Sequence, residues 1–292
     1  MDLLKEVAFF GLHMQSPVEP PNFRDIDWSC LTHPVMHFVY VAAAAMFLLH
    51  FLLAPFMRML FPKDRRVVAD MVTFDTVAGF CCAYLSAVGL YTFYFTDRLD
   101  KLDDKLLGYD KLSEHIAQFM FAYQIYDLFI MAFIPELLNV PMVVHHMLSG
   151  LLGFIGLFKF AHGFAPFFFG IIEISNIALT FVDIFQHAEL YKTMPTAYTL
   201  IRMVFAISFI WLRLLQWPVE CYTFWTAVIN GFLDGRLLQT NADAFAGAVF
   251  LIANFALTFL QFFWGVTIIK GVIKAVRKLT KGGADKPKPK KQ

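Results

Sequence analysis

Long runs of apolar residues recur along this sequence, and they constrain its fold more than any other feature. The first run, at 36–56, reads MHFVYVAAAAMFLLHFLLAPF and contains no acidic residue, lysine or arginine. About 20 such residues, at 1.5 Å per residue, cross the roughly 30 Å hydrocarbon core of a bilayer as a helix. Since 59% of the chain is hydrophobic and only 16% is charged, the sequence predicts an all-α, multi-pass membrane protein and not a soluble domain.

The runs predict seven transmembrane helices. Their approximate bounds are 34–60, 67–95, 115–138, 141–159, 165–186, 197–217 and 244–270. Residues 218–235 are aromatic but short, which predicts a re-entrant or interfacial segment. The N-terminal 30 residues lack the pattern of a cleavable signal or a mitochondrial presequence, so we expect the first span to act as the targeting signal.

Basic residues are unevenly divided between the two sides of the predicted membrane. One side holds nine Lys and Arg residues from Lys270 onward together with Arg58, Lys63, Arg65, Arg66 and Lys192, whereas the other side holds eight. The second side also carries an acidic loop, with Asp97, Asp100, Asp103, Asp104 and Asp110. Because cytoplasmic loops are enriched in Lys and Arg, a cytosolic C-terminus and a lumenal N-terminal segment (1–33) are predicted.

The basic tail at 277–292 has two interpretations. Lys288 and Lys290 stand five and three residues from the C-terminal end of the sequence, which resembles a retrieval signal of the endoplasmic reticulum. A solvated basic tail near anionic lipid explains the same residues. The endoplasmic reticulum is therefore favoured, and the mitochondrial inner membrane or another endomembrane stays open.

Polar residues fall at membrane depth in five predicted spans, where an ionisable side chain is a functional candidate by default. Measured from the span ends, one layer near the cytosolic mouth contains His145, His146, Asp183 and Arg202. A deeper layer contains Asp127, Glu173, Asn176, Gln261 and Asn254. Their convergence predicts a central cavity, although interhelical hydrogen bonding is the favoured interpretation of Asn254 and Gln261.

The adjacent histidines His145 and His146 are the most unusual of these residues. Neighbours on a helix point about 100° apart, so both rings cannot bind one metal ion as an i, i+4 pair does. The four cysteines also lack zinc-site spacing, and no metal or cofactor is expected. Either one ring faces the cavity as a base or acyl acceptor while the other binds a neighbouring helix, or both rings are satisfied packing residues.

Five short motifs together carry a family resemblance. They are IYDL at 125–128, HH at 145–146, EISN at 173–176, IRMVFAISFIWLR at 201–213 and LQFFWGVTIIKGVIK at 260–274. Over about 67–276 the chain resembles the TLC domain of ceramide synthases and of many divergent, lipid-related membrane proteins. The resemblance implies one peripheral span at 34–60 followed by a six-helix barrel around a lipid-sized cavity.

The resemblance also implies roles for individual residues. In ceramide synthases the paired histidines belong to the active site, and the following span carries a His-Asp pair. Here that window reads Ile172-Glu173, so the second histidine is missing and the chain is closer to the divergent members. His145, His146, Glu173 and Asp127 are the expected catalytic residues, with the cavity also formed by Tyr126, Asn176, Asp183, Arg202 and Gln261.

Two function classes follow from the sequence. In one, the cavity binds an acyl lipid and transfers an acyl group through His145 or His146, with acyl-CoA as co-substrate. In the other, the chain is a non-catalytic lipid-binding or structural subunit of a membrane complex, or a cargo or lipid-sensing receptor. Membrane lipids are expected partners in both classes, and protein partners are expected in the second. Neither class includes nucleic-acid binding.

Overall fold

The computed structural model describes residues 2–14, 20–23, 28–102 and 104–282. Helices dominate these residues, and no strand occurs among them. The α-helices are α1 (Asp2–Met14), α2 (Pro34–Leu60), α3 (Arg66–Tyr94), α4 (Lys111–Phe133), α5 (Val140–Gly156), α6 (Glu173–His187), α7 (Leu190–Thr193), α8 (Pro195–Phe209), α9 (Trp217–Leu233) and α10 (Asn241–Gly282). Two π-helical segments interrupt this series: the first π segment (Pro166–Ile171) precedes α6, and the second π segment (Ile210–Gln216) joins α8 to α9.

Six continuous helices in the described part of the chain are long and apolar enough to cross a membrane. They are Pro34–Leu60, Lys63–Tyr94, Lys111–Phe133, Pro166–His187, Pro195–Leu233 and Asn241–Ala275. The fourth predicted span corresponds to α5, an apolar helix of 17 residues. It measures about 26 Å at 1.5 Å per residue, slightly less than the hydrocarbon core. An integral membrane protein is therefore supported, with six full-length spans and one shorter apolar helix.

Residues 218–235 differ from the sequence prediction of a re-entrant or interfacial segment. Most of this stretch is α9, which continues α8 through the second π segment as a single helix, Pro195–Leu233. Pro218 lies in the first turn of α9, where a missing backbone N–H costs little. Neither Pro218 nor the aromatic residues that follow it therefore end the sixth span, which continues to Leu233.

Side-chain caps explain where several of these helices begin. Asp110 accepts a hydrogen bond from the backbone N–H of Ser113 at the start of α4, at 2.8 Å. Asn139 accepts one from Met142 N at the start of α5, at 3.0 Å. These side chains satisfy amide groups that have no partner inside the helix, and so fix the entry of the two helices that carry Asp127 and the paired histidines.

The helices pack in a closed order. Each helix contacts the next in the order α3, α4, α5, α10, α8 and α6, and α6 contacts α3 again. Helix α2 packs outside this order against α3 and α4, and α1 also contacts α3 and α4. The first π segment packs closely against α3, since neither Gly89 nor Gly170 has room for a Cβ atom.

Three loops that the sequence places on one side of the membrane contact one another. Ala161 N donates to Leu106 O at 2.6 Å and Gly163 N donates to Lys105 O at 2.9 Å, while Arg236 pairs with Asp104. The sequence assigns all three loops to the lumenal side. The C-terminal lysines of the predicted retrieval signal lie outside the described residues.

Candidate functional site

A cavity lies between α4, α5, the first π segment, α6, α9 and α10. Its open volume is about 40 Å³, which is enough space for at least one water molecule. Much of its wall is aromatic or thioether, from Met120, Phe164, Phe168, Phe169, Phe224 and Phe250. The polar part of the wall consists of Gln124, His145, His146, Ser149, Glu173, Asn176 and Asn254.

His146 is held by two acceptors on α4. Its Nδ1 atom lies 2.7 Å from Gln124 Oε1 and 3.1 Å from Asp127 Oδ2. We assign the proton to Nδ1, because an amide oxygen can only accept, and this leaves Nε2 as the basic nitrogen of the neutral ring. A carboxylate that fixes the tautomer of a histidine is the arrangement found around many general bases.

His145 has a different environment from its neighbour. Its Nδ1 atom is buried and has no hydrogen-bond partner. The ring packs edge-on against Trp264 of α10, with ring centroids 5.5 Å apart, and against His146 at 5.4 Å. An unpaired buried polar atom costs about 1–3 kcal/mol, so a ligand that hydrogen-bonds to His145 would remove an existing penalty.

Glu173 brings a carboxylate to the cavity from the first turn of α6. Its Oε2 atom accepts a hydrogen bond from Asn176 Nδ2 at 2.7 Å and another from the Cys82 thiol at 3.3 Å. Glu173 is 4% exposed, so these contacts orient a carboxyl group that water barely reaches. Asn176 acts as its partner on the same helix, three residues further along.

Arg213 is a buried cation that the sequence prediction did not include in the site. It lies in the second π segment, is 2% exposed, and binds Ser175 Oγ at 2.8 Å, Gln261 Oε1 at 3.0 Å and Ile172 O at 3.2 Å. It thus joins α6 to α10 behind the cavity wall. An arginine inside a predicted span, four residues before its end at 217, was the available signal.

A comparison with known proteins identifies the family of the chain. The model of the TLC domain matches residues 72–270. The chain belongs to the TLC-domain family. TLC domain-containing protein 4 A of Dictyostelium discoideum is 24% identical over 166 residues, which cover 56% of this chain and 60% of that protein. The chain therefore spans about 60% of the length of this curated relative, whose name is that of a TLC domain-containing protein and not of a ceramide synthase.

Five of the predicted residues of this TLC domain line the cavity: His145, His146, Glu173, Asn176 and Asn254. Asp127 does not line it but contacts His146. The sequence placed Asp127 deeper than the histidines because it extended the third span to 138, whereas α4 ends at Phe133. Asp127 and His146 therefore lie at similar distances from the turn that joins α4 to α5, which brings the two side chains together.

Two further predicted residues of the TLC domain support the cavity from outside. The Tyr126 hydroxyl lies 2.9 Å from His50 Nδ1 and so connects α4 to α2. Gln261 is fully buried, but its contact is with Arg213 and not with the cavity. Both side chains make interhelical hydrogen bonds, which is the commoner role of single polar residues in spans.

The remaining two predicted residues lie elsewhere. Asp183 is partly buried one turn before His187, whose Nδ1 atom lies 2.8 Å from Asp75 Oδ2. Arg202 is exposed on α8, with its guanidinium 5.4 Å from the centre of the Tyr198 ring. Neither Asp183 nor Arg202 lines the cavity of the paired histidines. Among the described residues, no group of three or more His, Cys, Asp or Glu side chains is placed to hold a metal ion.

Proposed function

We propose that this TLC domain binds a membrane lipid inside its helix bundle, with the polar group of the lipid at His145 and Glu173 and its hydrocarbon chain along the aromatic wall. One observation carries the proposal. The cavity has an apolar wall together with a polar cluster that contains a buried, unpartnered nitrogen, His145 Nδ1. Sites for small ligands combine a largely apolar wall with a few directed polar groups in this way.

The closed order of helix contacts supports the same proposal. It fits the six-helix barrel that the TLC resemblance implies, with α2 as the peripheral span. An open volume of about 40 Å³ is too small for an acyl chain, so entry of a lipid requires rotation of phenylalanine side chains such as Phe168. Binding by side-chain rearrangement predicts slow lipid exchange and occupancy that survives purification.

The test of lipid binding is native mass spectrometry on protein purified in a mild detergent. We expect wild-type protein to retain lipid, and His145→Ala and Glu173→Gln to lose most of it. His37→Ala is the matched control, because His37 is an exposed histidine on α2. Wild-type protein without lipid, or equal occupancy in the His145→Ala variant and the control, contradicts the proposal.

Acyl transfer is the second candidate, and the Asp127–His146 contact favours it. With Nδ1 engaged by Asp127 and Gln124, the Nε2 atom of His146 can take the proton of an acceptor hydroxyl or amine as that group attacks an acyl thioester. The acceptor then carries the acyl group, and the released thiol of coenzyme A takes up a proton. The ceramide-synthase histidine missing at Ile172 is not needed for this step, because α4 supplies the orienting carboxylate.

The acyl-transfer candidate has a direct assay. Purified protein is incubated with labelled acyl-CoA and with amine, sphingoid or lysolipid acceptors, and product is measured for wild type and His146→Ala. We expect a loss of roughly 100-fold or more in the variant. Turnover that is equal in both proteins refutes a catalytic histidine, and lipid retention without any turnover leaves lipid binding as the function.

An endoplasmic reticulum location is part of the proposal and rests on the sequence of the tail. Replacing Lys288 and Lys290 by serine removes the retrieval pattern while the helices are unchanged. We expect the full-length protein to leave the endoplasmic reticulum when both lysines are replaced. An unchanged distribution in fluorescence microscopy would exclude the tail as an address.

A further inference from the structure

Arg213 and Glu173 are two buried, oppositely charged groups on neighbouring helices. Arg213 donates only to neutral acceptors: the Ser175 hydroxyl, the Gln261 amide oxygen and the Ile172 carbonyl. A buried guanidinium needs a compensating charge as well as hydrogen bonds. Glu173 supplies an acidic side chain directly after Ile172, whose carbonyl oxygen Arg213 binds.

The hydrogen bonds of Arg213 also fix the backbone from which Glu173 projects. Ile172 O lies where the first π segment meets α6, and it accepts from both Arg213 Nη2 at 3.2 Å and Ser175 Oγ at 2.9 Å. A π segment leaves its carbonyl groups out of the regular helical pattern, so an outside donor is valuable there. Arg213 itself comes from the second π segment, so the two irregular segments meet at this contact.

The positions of the two charges relative to the cavity differ. Glu173 lines the cavity, whereas Arg213 lies behind the wall and does not line it. The cation therefore compensates the carboxylate without occupying the space that a ligand would take. A bound lipid would meet Glu173, His145 and His146, and not the guanidinium.

We propose that Arg213 is a positioning residue of the lipid site: it neutralises Glu173 from behind the cavity wall and holds the Ile172–Ser175 turn so that the Glu173 carboxylate faces the bound lipid. This inference rests on the proposed lipid-binding function. It predicts that removing the charge of Arg213 alone destabilises the protein more than removing the charges of Arg213 and Glu173 together.

The first test of this charge pair is thermal unfolding of purified protein in detergent. The variants are Arg213→Gln, Glu173→Gln and the double variant, with Arg202→Gln as control because Arg202 is exposed on the same continuous helix. We expect Arg213→Gln to lower the unfolding midpoint by roughly 10 °C, the double variant to regain at least half of that loss, and the control to stay within about 2 °C of wild type. A double variant no more stable than Arg213→Gln, or an Arg213→Gln variant as stable as the control, overturns the charge pairing.

The second test separates positioning from a purely structural role. Arg213→Lys keeps the charge but cannot reproduce the three-way hydrogen bonding of the guanidinium. We expect this variant to unfold within a few degrees of wild type while its bound lipid, measured by native mass spectrometry, falls about tenfold or more. Full lipid occupancy in Arg213→Lys overturns the positioning role and leaves lipid binding intact. If wild-type protein holds no lipid, the proposed function and the positioning role are both overturned. The unfolding test of the Arg213–Glu173 charge pair does not depend on bound lipid.

Discussion

His162 stabilises the loop that leads into the cavity wall, and its protonation should weaken that loop. The ring is fully buried between α4 and α5. Its Nδ1 atom accepts from the backbone N–H of Asp110 at 3.1 Å, so Nε2 carries the proton and donates to Gly156 O at 2.8 Å. Two residues later the chain reaches Phe164, which lines the cavity.

The expected magnitude follows from the titration of this ring. Burial lowers the pKa of His162 from its ordinary value of 6.5 to about 4. Between these values the unfolded chain binds the proton more strongly than the folded chain, so stability falls as the pH falls. The His162 contribution is complete above about pH 6.5, and about 2 kcal/mol of it is lost at pH 5, with a limit of about 3 kcal/mol below pH 4.

The assay compares wild type with His162→Gln, which keeps a side-chain N–H donor but does not titrate. Unfolding midpoints are measured in one detergent from pH 5 to pH 8, and the difference between the two proteins isolates His162 from the other histidines. We expect wild type to lose roughly 5 °C more than the variant between pH 7.5 and pH 5. The exposed His37→Gln variant should follow the wild-type profile. Parallel pH profiles for wild type and His162→Gln would refute the reasoning.

Three further predictions test the walls of the cavity. A Cβ atom at Gly89 would lie 2.7 Å from Gly170 Cα, so Gly89→Ala should lower the free energy of unfolding by about 1–3 kcal/mol. Gly271 has open space around it, so Gly271→Ala should be neutral or stabilising by up to about 1 kcal/mol. Equal unfolding midpoints for the two variants would contradict the close packing at Gly89. Asp127→Asn should keep bound lipid within about twofold but lower any acyl transfer roughly 100-fold, and an unchanged rate would exclude the carboxylate from catalysis. Phe168→Ala should speed the exchange of labelled lipid at a cost of about 3–5 kcal/mol in stability, and unchanged exchange would show that this ring does not control entry.

The apolar runs of the sequence predicted the all-α membrane class and most of its spans. The membrane class, the approximate bounds of most spans and the grouping of the loops follow from long apolar runs and charged loops, whereas the helix of the sixth span continues beyond the predicted 217 to Leu233. The end of α4 was misplaced by five residues, at 138 and not Phe133, and that error alone moved Asp127 away from His146 in the predicted site. Contacts across a helical hairpin are sensitive to such errors, because each misplaced residue changes the pairing on both helices.

The choice between Arg202 and Arg213 shows a limit of another kind. The two residues are 11 positions apart, so a regular α-helix at 100° per residue would place them within about 20° of each other on one face. In the structure Arg202 is exposed and Arg213 is buried. The second π segment contributes to this difference, because its wider turns shift the helical phase between the two positions. No local pattern in the sequence marks that segment, so its consequence for Arg213 is visible only in three dimensions.

The paired histidines are best understood as two residues with separate tasks. His146 is bound to α4 through Gln124 and Asp127, so its Nδ1 atom is already committed to the packing of α4 against α5. His145 packs against Trp264 of α10 and keeps a buried nitrogen without a partner. Two adjacent residues on a helix diverge by about 100°, and here that divergence lets one turn of α5 contact two different helices while both rings line the cavity. A ligand gains most by completing the hydrogen bonding of His145, whereas any base that removes a proton is better placed at His146, where a carboxylate fixes the ring. In the two proposed functions, binding and chemistry therefore depend on different members of one dipeptide.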